Sequence, residues 1–144
     1  MGLTKPIERI KLKIIVKKEY LKDIIRGEIR MNEQRELAEA IAKVLSDKKG
    51  IDIAVIDISP KASFADYFVL ASGGSDRQVA SLVESVEDLM EPQGVFPKSV
   101  EGRKTSGWIL MDYGDVVVNV MTQEMREKYN IEKIWGDCEL TEVE

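Results

Sequence analysis

Apolar and polar positions alternate most legibly from the middle of the chain onward. Asn32 is placed to cap a helix, and Leu37, Ala38, Ile41, Val44 and Leu45 recur at helical spacing until Gly50 stops the pattern. "IDIAVIDI" (Ile51 to Ile58) then switches to a two-residue period rich in β-branched side chains, which predicts a strand turned by Ser59 and Pro60. "DYFVLAS" (Asp66 to Ser72) is nearly continuously apolar and predicts a second, more deeply buried strand. Gly73, Gly74 and Ser75 lead into a helix carrying Val79, Leu82, Val83, Val86, Leu89 and Met90 on one face, with Ser75 and Gln78 spaced as a capping box and the end marked by Gly94 and Pro97.

Beyond it, Ser99 to Trp108 mixes a short strand with a loop. Trp108 to Met121 predicts two strands joined at Tyr113 and Gly114 as a hairpin, and Thr122 to Trp135 a short helix with a docking segment. The order α, β, β, α, β, β, β, α implies an α/β chain of the α+β type, a mixed sheet of about five strands with helices packed on it. The hairpin forces antiparallel pairing, which excludes a doubly wound nucleotide fold. The expected organisation is a basic extension over 1–31, one domain over 32–136, and an acidic tail over 137–144.

Composition narrows the chemistry. The 144 residues suit one domain, and 44% hydrophobic content supports a core without disulfides or metal. A lone cysteine, Cys138, has no intramolecular partner and fits a reducing, cytoplasmic setting. Histidine is absent, which removes Ser/His/Asp and Cys/His nucleophile systems and His-based zinc motifs. No stretch reaches the roughly 18 to 20 apolar residues of a membrane span. Met1-Gly2 lacks the Ser or Thr that myristoylation wants, Pro6 standing there instead.

Charge is divided unevenly. Residues 1–31 hold nine Lys/Arg against four Asp/Glu, a net of +5, so the total of −5 leaves −10 for residues 32–144. A body that acidic repels nucleic acid and is steered toward a basic protein surface. The opening 31 residues fit a basic RNA-touching arm, a helical appendage, or a leader translated from a misassigned start. The last is favoured because Met31 directly precedes a well-formed helix start and Arg26-Gly27-Glu28 is what a purine-rich ribosome-binding site encodes.

Three candidate sites compete. The glycine turn at a helix start fits an anion-binding cradle, yet it lacks either phosphate-loop motif and serves a sharp strand-to-helix turn equally well. A glycine-serine turn followed by strand carboxylates would fit a nucleotidyltransferase, where paired acids hold two metal ions, but the required D-x-D is missing. Asp52 and Asp57 are five apart and point to opposite faces, Glu84, Glu87 and Asp88 lie on a helix, and Asp112 and Asp115 flank a turn. Trp108, Tyr113, Tyr129 and Trp135 are concentrated in the last 37 residues; at the hairpin tip between two acids, Tyr113 is expected to project into solvent as a binding anchor.

Three segments, "ADYFVLASGGSDRQV", "SVEGRKTSGWILMDYGDVVVNV" and "REKYNIEKIW", together resemble the ribosomal silencing factor family, also called Iojap or RsfS, over about Glu33 to Trp135. Family positions match at Asp66, Ser75, Arg77, Gln78, Glu101, Gly102, Trp108, Asp112, Gly114, Asp115, Arg126, Tyr129 and Trp135. The chain departs at Gly74, where members commonly have Thr, and at Asn119, where they commonly have a histidine that can titrate. The resemblance implies a nucleotidyltransferase-like fold without the catalytic carboxylates, no enzymatic activity and no cofactor or metal. It further implies a cytoplasmic factor that binds the large ribosomal subunit through ribosomal protein L-fourteen. By covering that surface it would keep the small subunit from joining and lower translation when nutrients are scarce. No membrane and no sequence-specific nucleic acid partner is implied, and a homodimer is left open. The expected contact is the Trp108 to Val120 hairpin with the Arg126 to Trp135 segment: Trp108, Tyr113, Tyr129, Trp135 and Arg126, with Asp112, Gly114 and Asp115 at the rim.

Overall fold

A computed structural model describes residues 33–103 and 107–143. The basic extension and the Asn32 cap fall outside them. Residues from Gln34 onward form one compact unit. Its elements are α1 (33–47), β1 (Ile51–Asp57), β2 (Tyr67–Gly73), α2 (Asp76–Met90) with a 3-10 turn Glu91–Gln93, β3 (Ser99–Glu101), β4 (Trp108–Asp112), β5 (Val116–Thr122), α3 (Gln123–Tyr129), α4 (Ile131–Ile134) and β6 (Leu140–Val143).

The strands form one sheet in the order β3-β4-β5-β2-β1-β6. Only β2 and β5 run parallel, with Tyr67 opposite Val116 and Gly73 opposite Thr122; the other pairings are antiparallel. The mixed sheet is therefore as the pattern predicts, with six strands where about five were expected. The additional strand, β6, lies in the segment read as an acidic tail, and it pairs with β1 through Ile53–Val143 to Ile56–Leu140. Hydrogen bonding explains the difference: β1 buries its side chains on both faces yet would leave a row of N–H and C=O groups unpaired at its outer edge, and a short, mostly exposed four-residue strand satisfies them.

Strand alternation sorts side chains onto two faces. One receives Ile53, Val55, Tyr67, Val69, Ala71, Ile109, Met111, Val116, Val118 and Val120, and both long helices cover it with Ala38, Ile41, Ala42 and Leu45 of α1 and Val79, Leu82, Val83, Val86 and Met90 of α2. This is the main core. The opposite face receives Ala54, Ile56, Leu70, Val117 and Met121, and is covered only by the loop around Ile58 and Ala65 and by the short α3 and α4. Burial is nearly complete over β2 and β5, with only Phe68 and Thr122 half-buried, and falls away over β4, where Trp108, Leu110 and Asp112 are half-buried. Helix length decides which face closes: seven- and four-residue helices cannot roof six strands.

Candidate functional site

The glycine turn is the natural first suspect, and its own hydrogen bonds decide against an anion cradle. The Ser75 hydroxyl accepts from the Gln78 backbone N–H at 3.1 Å, the N-cap the spacing predicts. The Gln78 side chain reaches one residue further back than a standard box, accepting from Gly74 N–H at 2.6 Å, while its amide nitrogen donates to the Lys49 carbonyl at 3.0 Å. Two donors a phosphate would want are thus already spent. A Cβ on Gly73 would lie 3.2 Å from both the Val79 backbone nitrogen and a Val79 methyl, so the first glycine is there for close strand-to-helix approach. The adjoining open cleft of about 650 Å³ is lined by Asp76 and Glu124 against Lys128, the wrong balance for a polyphosphate. Among the described residues no group of three or more His, Cys, Asp or Glu is disposed to hold a metal ion.

The thinly roofed sheet face carries a different arrangement. Five of the aromatic side chains of the compact unit gather there in two groups. Phe64, Phe68 and Trp135 pack as a triangle with centroids 5.6 to 6.4 Å apart, Phe68 meeting Trp135 edge-on at 78°. Trp108 and Tyr129 pack at 5.3 Å, with the Lys128 ammonium 5.5 Å over the Tyr129 ring. Phe64 is 62% exposed, Tyr129 48% and the neighbouring Ile134 65%. Phe64 and Tyr129 are exposed yet each packs against another ring, so they present apolar contact area with part of their side-chain freedom already restricted.

Each sequence-selected residue can now be placed. Trp108 stands on the open face, its indole N–H donating to Asn119 Oδ1 at 3.0 Å. Asn119 is buried, and its Nδ2 has no partner among the described residues. Asp112 faces the same side, but its carboxylate accepts from the Gly114 N–H at 2.8 Å, so part of its role is turn chemistry. Gly114 has φ +91°, and the Asp115 carbonyl accepts from Asp66 and Tyr67 N–H at 2.8 and 3.0 Å, which ties the tip to β2. Tyr129 and Trp135 are on the open face.

Tyr113 corrects the expectation. Its N–H donates to the Val116 carbonyl at 2.9 Å, so the two-residue turn is Gly114-Asp115, one position later than predicted. The shift takes Tyr113 out of the turn and pairs it with Val116, so it continues the Ile109 and Met111 row and packs against the main core rather than projecting into solvent. Its hydroxyl is buried with no hydrogen-bond partner among the described residues. Burial, then the Glu87 and Glu91 carboxylates, push its pKa up to about 12, against a smaller lowering by Arg103.

Arg126 is likewise not on the surface. It is 9% exposed; Nη1 donates to the Ser72 hydroxyl at 3.0 Å and Nε to the Glu132 carboxylate. Sequence reasoning did not select Phe64, Phe68 or Ile134. Phe68 was legible as strand, but only the fold brings Phe64, from the loop between strands, beside Trp135.

The family model described as ribosomal silencing factor during starvation matches residues 31–144. The protein named ribosomal silencing factor RsfS from Bacillus subtilis is 35% identical over 111 residues, 77% of this chain and 94% of that protein. Another relative, 32% identical over 101 residues but matched over only 44% of its own length, is the mouse protein named mitochondrial assembly of ribosomal large subunit protein 1. A crystal structure from Chromobacterium violaceum superimposes with a TM-score of 0.68 at 38% identity, covering 71% of this chain and 85% of that one.

Proposed function

Since the chain belongs to the ribosomal silencing factor family, a family of translation regulators associated with the large ribosomal subunit, we propose that it acts by covering a protein surface there. Ribosomal protein L-fourteen is the docking partner in this reading, and occupation of it by the chain keeps the small subunit from joining. The observation that carries the reading is the open sheet face: aromatic groups packed against one another, on a body whose net charge of −10 over residues 32–144 favours a basic partner. The mechanism is occlusion, and no covalent step enters it.

The contact belongs on the face of Trp108, Tyr129 and Trp135, joined by Phe64, Phe68 and Ile134, with Asp112 and Asp115 at its edge. Tyr113 and Arg126 act behind this face. The test is co-sedimentation with purified large subunits, followed by light-scattering of subunit joining and by binding of isolated L-fourteen. Trp135→Ala and Tyr129→Ala should each weaken binding by about 2 kcal/mol, roughly thirtyfold in Kd. Subunits joining undisturbed under saturating chain would overturn the occlusion reading, and turnover of a nucleoside triphosphate with Mg²⁺ would favour the nucleotidyltransferase-like alternative.

A further inference from the structure

We infer that Arg126 is a positioning residue that fixes the orientation of the α3–α4 segment on the sheet, and thereby where Tyr129, Ile134 and Trp135 stand for a partner; the presentation clause rests on the docking reading above. Four observations lead there. α3 and α4 are too short to hold themselves in place by helical hydrogen bonding, and they meet at Asn130, whose backbone takes the left-handed conformation φ 41°, ψ 60°. That junction turns the chain sharply, so the direction of α4 depends on what grips it. Ile131 supplies an apolar contact with the second core, which resists separation but is indifferent to rotation. Directionality comes from Arg126.

Its guanidinium is gripped from two sides: Ser72 Oγ, at the buried end of the central strand β2, receives Nη1 at 3.0 Å, and the Glu132 carboxylate in α4 receives Nε. One planar group thus bonds the sheet on one side and α4 on the other, and planarity makes the link angular as well as distance-setting. Glu132 and Trp135 lie three residues apart, so the turn that Arg126 holds by its carboxylate is the turn that seats Trp135 against Phe68. Lysine could keep the charge opposite Glu132 but cannot present two N–H donors in fixed directions to Ser72 and Glu132 together.

The experiment compares the full chain with Arg126→Lys, Arg126→Met and Ser72→Ala, at a temperature where circular dichroism shows each fully folded. Trp135 is isolated as the only tryptophan by a Trp108→Phe background, and its acrylamide quenching is read in each variant alongside large-subunit binding of the same substitutions in the native background. The expected result is that Arg126→Lys and Arg126→Met each raise the quenching constant of Trp135 at least twofold and weaken subunit binding at least tenfold. Ser72→Ala should give a smaller change of the same sign in both. Should Arg126→Met not fold, Arg126→Lys and Ser72→Ala decide. Lysine restoring parental quenching and binding would reduce the role to charge and overturn the inference, as would parental quenching in every folded variant. Failure of the parent chain itself to bind subunits, with quenching still raised by Arg126→Lys, would overturn the docking reading and the presentation clause while upholding the grip of Arg126 on α4.

Discussion

At the scale of single residues, the open face depends on pairs whose members make sense only together. Asn119 accepts the Trp108 indole N–H, and among the described residues its own Nδ2 goes unpaired in the interior. Asn119→Val should therefore destabilise the fold by about 1–2 kcal/mol, because it strands the indole N–H, whereas adding Trp108→Phe should recover most of that loss. Urea unfolding of the two single variants and the double variant measures the cycle. Gly102 makes a sharper demand, with φ +94° and a Cβ position only 2.0 Å from the Trp108 carbonyl oxygen. Gly102→Ala should cost about 1–3 kcal/mol by strain and contact, which the same unfolding experiment reads. Trp108 and Tyr129 were recognisable from sequence as large aromatics near the site, but the burial of Arg126 was not. An arginine in a helix that is otherwise solvated looks the same on paper whether it turns outward or inward.

At the scale of elements, periodicity located β1, β2, α2 and the β4–β5 hairpin to within a residue or so, because each carries a full apolar stripe. What it missed were features fixed by partners distant in sequence. β6 is four residues with three of them exposed, and only the bare edge of β1 gives it a reason to be a strand. The hairpin turn lies one position later than expected, which makes Tyr113 a strand residue packed on the main core within reach of the Glu87 and Glu91 charges instead of a turn residue. The consequence is measurable in alkali. A tyrosine whose folded pKa of about 12 exceeds the ordinary value of 10 contributes stability that is whole below pH 10 and drains away as pH rises toward 12, because the unfolded chain gives up the proton first. Tyr67, raised chiefly by burial and then by Asp57, titrates in the same direction. Stability should therefore fall across that window, and Tyr113→Phe should make the fall shallower while leaving neutral-pH stability unchanged or higher by up to about 1 kcal/mol, since it removes a buried hydroxyl that has no partner among the described residues. Guanidinium unfolding at a series of pH values checks both signs.

At the scale of the whole molecule, the division of labour between the two sheet faces was not available from sequence, since both faces of β2 and β5 read as apolar. Helix lengths resolve it: the face under α1 and α2 closes and the other remains available. The charge of residues 32–144 then makes a prediction that separates two kinds of surface on the large subunit. Docking on a basic ribosomal protein should weaken as monovalent salt rises and the screening length shrinks from about 10 Å at 0.1 M to about 3 Å at 1 M, mainly through a slower association rate. Docking against RNA phosphates would be opposed by the same charge and would strengthen with salt. Stopped-flow association rates across a salt series distinguish them, and a rate that rises with salt would contradict the protein-docking reading.

The pairing of β1 with β6 has a bearing on synthesis. β1 emerges early in the making of the compact unit, while the strand that closes its outer edge is translated after every other strand. During all that interval the nascent sheet shows a bare, β-branched edge, so a polypeptide interrupted before residue 140 would leave an adhesive strand behind it. The sheet thus gains its finished edge only after residues 140–143 have been made and have left the ribosome.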